Sequence, residues 1–119
     1  MLSISLRRQT QRAYQTDPLP RPAGDPKQPG VGAHKDSGFL SFLLQDEQKG
    51  LQVEVAPGEW IDAVPLAGSF VVNIGELLEL ATNGYLRATV HRVVSPPAQQ
   101  QRLSIAFFLG AQLDAVVRF

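Results

Sequence analysis

From Val31 onward the chain is a succession of short runs in which apolar and polar residues alternate, each closed by a turn signal. The pattern predicts strands at Val31–Asp36, Leu40–Gln45, Leu51–Ala56, Trp60–Ala63, Ser69–Ile74, Ala88–Val94 and Arg102–Leu109. The breakers between them are Ser37-Gly38, Lys49-Gly50, Pro57-Gly58, Pro65 with Gly68, Asn83-Gly84 and Pro96-Pro97. One segment differs. Gly75 to Gly84 is rich in helix formers and ends in Asn-Gly, which predicts a short helix of about two turns. Seven or eight short strands with one small helix, and no strand–helix–strand alternation, argue for a sandwich or barrel. A jelly roll has eight strands in two sheets, and its mouth is a natural place for a metal.

Strand periodicity makes a sharper statement about the last run. Arg102, Ser104, Ala106 and Phe108 share one face, and Leu103, Ile105, Phe107 and Leu109 share the other. The second set is uniformly apolar and is expected against a hydrophobic layer. The first carries a guanidinium and a hydroxyl, groups that are costly to bury without partners. An anionic ligand answers that cost, because the planar fork of arginine fits a carboxylate bidentately. An edge strand with a solvated arginine is the plainer alternative.

Residues 1–30 have a different character. They hold Pro18, Pro20, Pro22, Pro26 and Pro29 together with Arg7, Arg8, Arg12 and Arg21, and few large apolar residues follow Leu6. Such a stretch buries too little surface to offset its ordering entropy. It reads as extended and poorly ordered, with a short strand or helical turn within residues 2–14. A core over 31–112 and a short tail over 113–119 complete the division. A chain of 119 residues is one domain. Zero net charge gives no broad attraction to nucleic acid or anionic lipid. The absence of cysteine excludes disulfides, thiolate metal sites and a cysteine nucleophile, and suits a reducing cytoplasm. No apolar stretch approaches the roughly 20 residues that span a bilayer.

The chemistry concentrates in His34-Lys35-Asp36 and His91, the chain's only two histidines with one carboxylate. Residues two apart on a strand project to the same side, so His34 and Asp36 are expected to point together, with Lys35 turned away. A third ligand from another strand would complete one face of an octahedron, the facial arrangement of non-haem iron oxygenases. Two solvated loop residues and a histidine satisfied within a core are the alternative readings.

Six blocks occur in order: Gly32-Ala33-His34-Lys35-Asp36, Leu43-Leu44-Gln45-Asp46, Gly50-Leu51-Gln52-Val53, Val71-Val72-Asn73-Ile74-Gly75-Glu76, Val90-His91-Arg92-Val93-Val94 and Arg102-Leu103-Ser104-Ile105-Ala106-Phe107-Phe108. Together, over residues 30–112, they resemble the C-terminal catalytic core of the isopenicillin N synthase-like iron(II)/2-oxoglutarate-dependent dioxygenases. The resemblance implies an all-β double-stranded β-helix, which is a jelly roll, with one short helix. It implies His34, Asp36 and His91 as iron ligands, Arg102 and Ser104 on the distal carboxylate of 2-oxoglutarate, and Phe108 lining the substrate side. The implied reaction consumes dioxygen and 2-oxoglutarate, oxidises a small organic substrate, and yields succinate and carbon dioxide. Zinc, nickel or copper suit the same donors.

The sequence departs from that family in its flanks. The long region that precedes such cores and the helical tail that follows them are missing. The tyrosine that helps bind 2-oxoglutarate is expected near Pro18, whereas Tyr14 stands about four residues earlier. Truncation is the expectation, with an uncovered sheet, self-association through it, and either an active oxygenase or a remnant that binds metal or 2-oxoglutarate without turnover. A non-metal interaction module is a third reading. Asp46, Glu47 and Asp62 read as solvated turn residues, Glu76 and Glu79 as surface positions on the helix, and Trp60 as a packing anchor.

Overall fold

A computed structural model describes residues 6–9, 14–15, 29–97, 99–112 and 114–116. The strands are β1 (Leu6–Gln9), β2 (Tyr14–Gln15), β3 (Pro29–His34), β4 (Leu40–Gln45), β5 (Leu51–Ala56), β6 (Glu59–Asp62), β7 (Val71–Ile74), β8 (His91–Val94) and β9 (Leu103–Ala111). One helix, α1 (Glu76–Ala81), lies between β7 and β8. The strands form two antiparallel sheets. One has five strands in the order β1-β9-β4-β7, with β2 also on β9, and the other has four in the order β3-β8-β5-β6. This is the jelly roll with a single short helix that the strand pattern and the family likeness imply.

β4 and β5 begin and end where the alternation places them. α1 sits within the helix-prone segment, and Asn83 (φ 51) and Gly84 (φ 76) turn the chain through the left-handed region behind it, as Asn-Gly permits. Two strands move. β3 runs two residues earlier than expected, so Asp36 lies beyond its end. β8 begins at His91 instead of Ala88, although Val90 still accepts from the Glu54 N–H at 2.9 Å. Trp60 is half-buried beneath Arg92, whose guanidinium carbon stands 4.0 Å from the ring centroid, a cation–π contact.

Cross-strand register fixes the two faces of the five-stranded sheet. Ser41 pairs with both Asn73 and Phe108, Leu43 with Val71 and Ala106, and Gln45 with Ser104. Directly opposed residues share a face, so Ser41, Gln45, Asn73, Ser104, Ala106 and Phe108 lie together on the inner side. Ser41 and Asn73 are buried there, and the buried Arg102 bonds to Ser104 and Gln45 of the same face, whereas His91 is buried on β8 of the other sheet. The outer side bears Leu44, Val72, Leu103 and Ile105, which are 38–51% exposed. The hydrophobic layer expected over Leu103 and Ile105 is thus absent among the described residues. Alternation alone identifies an apolar face but not whether anything covers it.

Candidate metal centre

β3 and β8 are neighbours, and His34 pairs directly with His91 at the open end of the sheet. Their rings are tilted, with centroids 4.4 Å apart. His34 is exposed and His91 is buried, at 6%. Asp36 reaches both: its Oδ1 lies 3.5 Å from His34 Nε2 and 3.6 Å from His91 Nε2. The donor atoms of the three residues all lie within 4.8 Å of one another.

Strand alternation does not account for this convergence, because Asp36 has left β3. The segment 36–39 is a turn, and α1 fastens it. The Gly75 N–H donates to Phe39 O (2.8 Å), Glu76 to Asp36 O (2.8 Å) and Leu77 to Gly38 O (3.1 Å). These are first-turn donors that a helix cannot satisfy internally. The approach requires a glycine: a Cβ on Gly75 would stand 2.0 Å from the Gly38 carbonyl oxygen.

The hydrogen bonds around the three side chains define their chemistry. His34 Nδ1 lies 2.7 Å from Gly32 O, and His91 Nδ1 lies 3.0 Å from Thr89 O. A carbonyl only accepts, so each Nδ1 donates to it, and Nε2 is the ring nitrogen directed at Asp36. The Ser41 hydroxyl donates to Asp36 Oδ2, which leaves Oδ1 to face the imidazoles. Three electron-pair donors therefore converge, an arrangement complementary to a cation. Two imidazoles and a hard carboxylate, held by partners on their far sides, fit a ferrous ion.

The other residues singled out in the sequence lie around the start of β9. Arg102 precedes β9 and is 4% exposed. Its Nη1 donates to Ser104 Oγ (3.2 Å) and its Nη2 to Gln45 Oε1 (2.9 Å), while Gln45 Nε2 donates to Ala63 O (3.2 Å). Burial pushes the guanidinium pKa down, and the nearby Asp46 carboxylate opposes this. Arg102 remains a cation at physiological pH in any case. Gly50 makes room for it, because a Cβ there would meet Arg102 Cδ at 2.8 Å and Val94 O at 2.9 Å. Phe108, expected on the substrate side, is half-buried on the inner face beside Ser41. The backbone register sets Tyr14 opposite Ser104. Pro18, the position expected to correspond to the family's tyrosine, lies outside the described residues.

The sequence reading missed several residues. Ser41 and Gln45 are polar interruptions of an apolar strand, a signal that was available. Asp46 is no solvated turn residue: it is half-buried, and its carboxylate accepts from the Leu103 N–H (2.5 Å) and the Gln48 N–H (2.9 Å), tying the end of β4 to the start of β9. Asp62 lies on β6, where it is exposed and accepts from Gln52 Nε2 at 2.9 Å.

A jelly roll with this donor set at its mouth and a buried arginine ahead of β9 defines a class: non-haem iron oxygenases that use an anionic co-substrate. The chain belongs to the 2OG-Fe(II) oxygenase superfamily, which matches residues 8–111. The match starts well before residue 30, in agreement with the pairing of β1 and β2 on β9. A homoarginine-6-hydroxylase of Arabidopsis thaliana is 47% identical over 89 residues, 74% of this chain and 26% of that protein. A 2-oxoglutarate-Fe(II) type oxidoreductase of Emericella nidulans is 42% identical over 90 residues, 75% of this chain and 26% of its own length. Among solved structures, a full-length Neurospora crassa protein in complex with alpha-KG aligns with TM-score 0.72 and 40% identity, over 78% of this chain and 32% of that one. The rice dioxygenase for auxin oxidation aligns with TM-score 0.68 and 47% identity, over 75% and 31%. The chain spans about a quarter of the length of the curated relatives it matches.

Proposed function

We propose that this chain is the core of an iron(II)- and 2-oxoglutarate-dependent oxygenase that oxidises a small organic molecule. One observation carries the reading: His34 Nε2, His91 Nε2 and Asp36 Oδ1 converge on one point, on the inner side that also holds Arg102 and Ser104. Iron, when bound, supplies dioxygen activation, and 2-oxoglutarate supplies two electrons as it is converted to succinate and carbon dioxide. The residues do the rest. His34, Asp36 and His91 hold the ion on one side and leave the other open. Arg102 receives the distal carboxylate through its planar fork with Ser104 as a further donor, and Gln45 keeps the fork oriented. Burial strengthens that charge-assisted contact. Phe108 and Ala106 restrict water on the same face.

The test is oxygen uptake and succinate formation with iron(II) and 2-oxoglutarate. His34→Ala is expected to reduce turnover more than 100-fold. Arg102→Ala is expected to raise the 2-oxoglutarate KM by about 100-fold, since a charge-assisted hydrogen bond contributes about 1.5–3 kcal/mol and about 1.4 kcal/mol is tenfold. Equal turnover by wild type and both variants would dispose of the reading. A second reading, metal and 2-oxoglutarate binding without turnover, draws support from the short span relative to the relatives. Calorimetry with Mn(II) and 2-oxoglutarate separates the two: binding with no succinate formed favours the second.

We further propose self-association through the outer face of the five-stranded sheet. Its support is the row of exposed Leu44, Val72, Leu103 and Ile105. Light scattering should give a mass that rises with concentration, and Leu103→Lys with Ile105→Lys should return the monomer mass. A concentration-independent monomer in the wild type refutes it. The cytoplasm is the proposed compartment, which a cysteine-free composition suits. Among the described residues no helix is long and apolar enough to cross a membrane.

A further inference from the structure

Helix α1 touches both segments that carry the candidate ligands. Its first-turn N–H groups hold the 36–38 backbone, as described. One turn later Glu79 reaches in two directions. Its Oε2 accepts from the Ala88 N–H and lies 3.5 Å from Lys35 Nζ. Lys35 separates His34 from Asp36, and Ala88 stands three residues before His91. Between Ala88 and His91, Thr89 provides the carbonyl that receives His91 Nδ1. Ala88 is 7% exposed and precedes β8, so its N–H is buried ahead of the strand ladder. A buried N–H must be paired, and the Glu79 carboxylate pairs it.

We propose that Glu79 is a positioning residue for the metal centre, a clamp that sets the separation between the His34–Asp36 segment and the His91 segment. The inference rests on the reading that these three residues bind a metal. The two arms of the clamp are unequal. The Lys35–Glu79 pair is about one-third exposed on each side, at 35% and 31%, and solvent-exposed pairs of this sort contribute little. The hydrogen bond to Ala88 carries the effect, because it fixes the backbone from which His91 projects. The Ala88 N–H is also the main influence that holds the Glu79 carboxyl below its ordinary pKa; desolvation opposes it, and the charges of Lys35 and Arg87 assist it. Glu79 is therefore a carboxylate at neutral pH.

The experiment measures Mn(II) affinity by calorimetry on protein confirmed as folded by circular dichroism. Partners that orient metal ligands from behind typically contribute 10–100-fold in affinity. Glu79→Ala is expected to weaken Mn(II) binding about 10-fold. Glu79→Gln keeps the acceptor oxygen and should stay within about 3-fold of wild type, as should Lys35→Ala. Glu79→Asp keeps the charge but withdraws the oxygen by about one C–C bond, 1.5 Å, and should lose as much as the alanine variant. The ligand-field absorption of Co(II) gives a second readout, altered in Glu79→Ala and Glu79→Asp and restored in Glu79→Gln. Wild-type affinity in Glu79→Ala, or equal loss in Glu79→Gln, overturns the inference while leaving the metal site standing. Failure of the wild type to bind Mn(II), or binding insensitive to His91→Ala, overturns the metal reading and this inference with it.

Discussion

Gly75→Ala is expected to lower the melting temperature by about 20 °C and to abolish high-affinity metal binding. The reason is a backbone contact, not backbone conformation. Gly75 has φ −92°, a value any residue adopts. Its α-carbon, however, packs directly against the turn after Asp36. A methyl group would stand 2.0 Å from Gly38 O, 2.6 Å from Gly38 C and 3.1 Å from Asp36 O. All three atoms are main chain, so no side chain can swing aside. Relief requires parting α1 from the turn, with loss of the bonds from Gly75 to Phe39, Glu76 to Asp36 and Leu77 to Gly38. At about 1 kcal/mol net for each bond, plus about 1–3 kcal/mol for overpacking, the loss is about 4–6 kcal/mol. That is a large share of the roughly 6–18 kcal/mol expected for a chain of this length. At about 3–6 °C per kcal/mol, the fall in Tm follows. Gly32→Ala is the matched control, since nothing lies within 4 Å of its added Cβ, and it should melt within a few degrees of wild type. Equal Tm for the two variants would show that α1 and the Asp36 turn are not in close contact.

That contact also marks where the sequence stops being legible. Period-2 alternation places Ser104 and Phe108 on the inner side, and Asn-Gly ends the helix where the left-handed φ values occur. Such features are local: each follows from a few neighbouring residues. The grouping of His34, Asp36 and His91 was also anticipated, but through the wrong local geometry. A strand running through Asp36 would align it with His34 by alternation. In the folded chain β3 ends at His34, and Asp36 is aimed by a serine on β4 and by the first turn of α1. Those partners are 5 and 40 residues away in sequence, and no periodicity reports them. Asp46 and Glu79 illustrate the same limit. A carboxylate beside a turn or on a short helix reads as solvated until the fold brings a backbone N–H to it, from Leu103 in one case and from the buried Ala88 in the other. The outer face shows the converse. Leu103 and Ile105 alternate as core residues do, yet they are exposed at 45% and 47%, because apolar periodicity records a face that selection has shaped for burial and says nothing of what supplies the cover.

Asp36→Asn should weaken Mn(II) binding more than 100-fold while leaving the metal-free protein about as stable as wild type. The two halves of this expectation share a cause. Asp36 supplies the only negative charge among the three donors, and its oxygens are divided: Oδ2 accepts from Ser41, and Oδ1 faces both imidazoles. In the absence of a cation, Oδ1 stands 3.5 and 3.6 Å from the two imidazole nitrogens, too far for a strong hydrogen bond, so removing the charge costs little. With a cation bound, the same charge is the strongest attraction in the site. An asparagine fills the same volume and still pairs with Ser41, whose hydroxyl can donate or accept, so packing is preserved and only electrostatics changes. Thermal melting with and without Mn(II) reads both halves. At a concentration 100 times its Kd, the metal adds about 2.7 kcal/mol to the wild type, and it should add almost nothing to the variant. Ser41→Ala separates orientation from charge. It keeps the carboxylate but frees it to rotate, and the expected loss of affinity is about 10–100-fold, smaller than that of Asp36→Asn. An Asp36→Asn protein that binds Mn(II) as tightly as the wild type would place the ion elsewhere, and a Ser41→Ala loss exceeding that of Asp36→Asn would mean that the hydroxyl, not the carboxylate charge, is the dominant contributor.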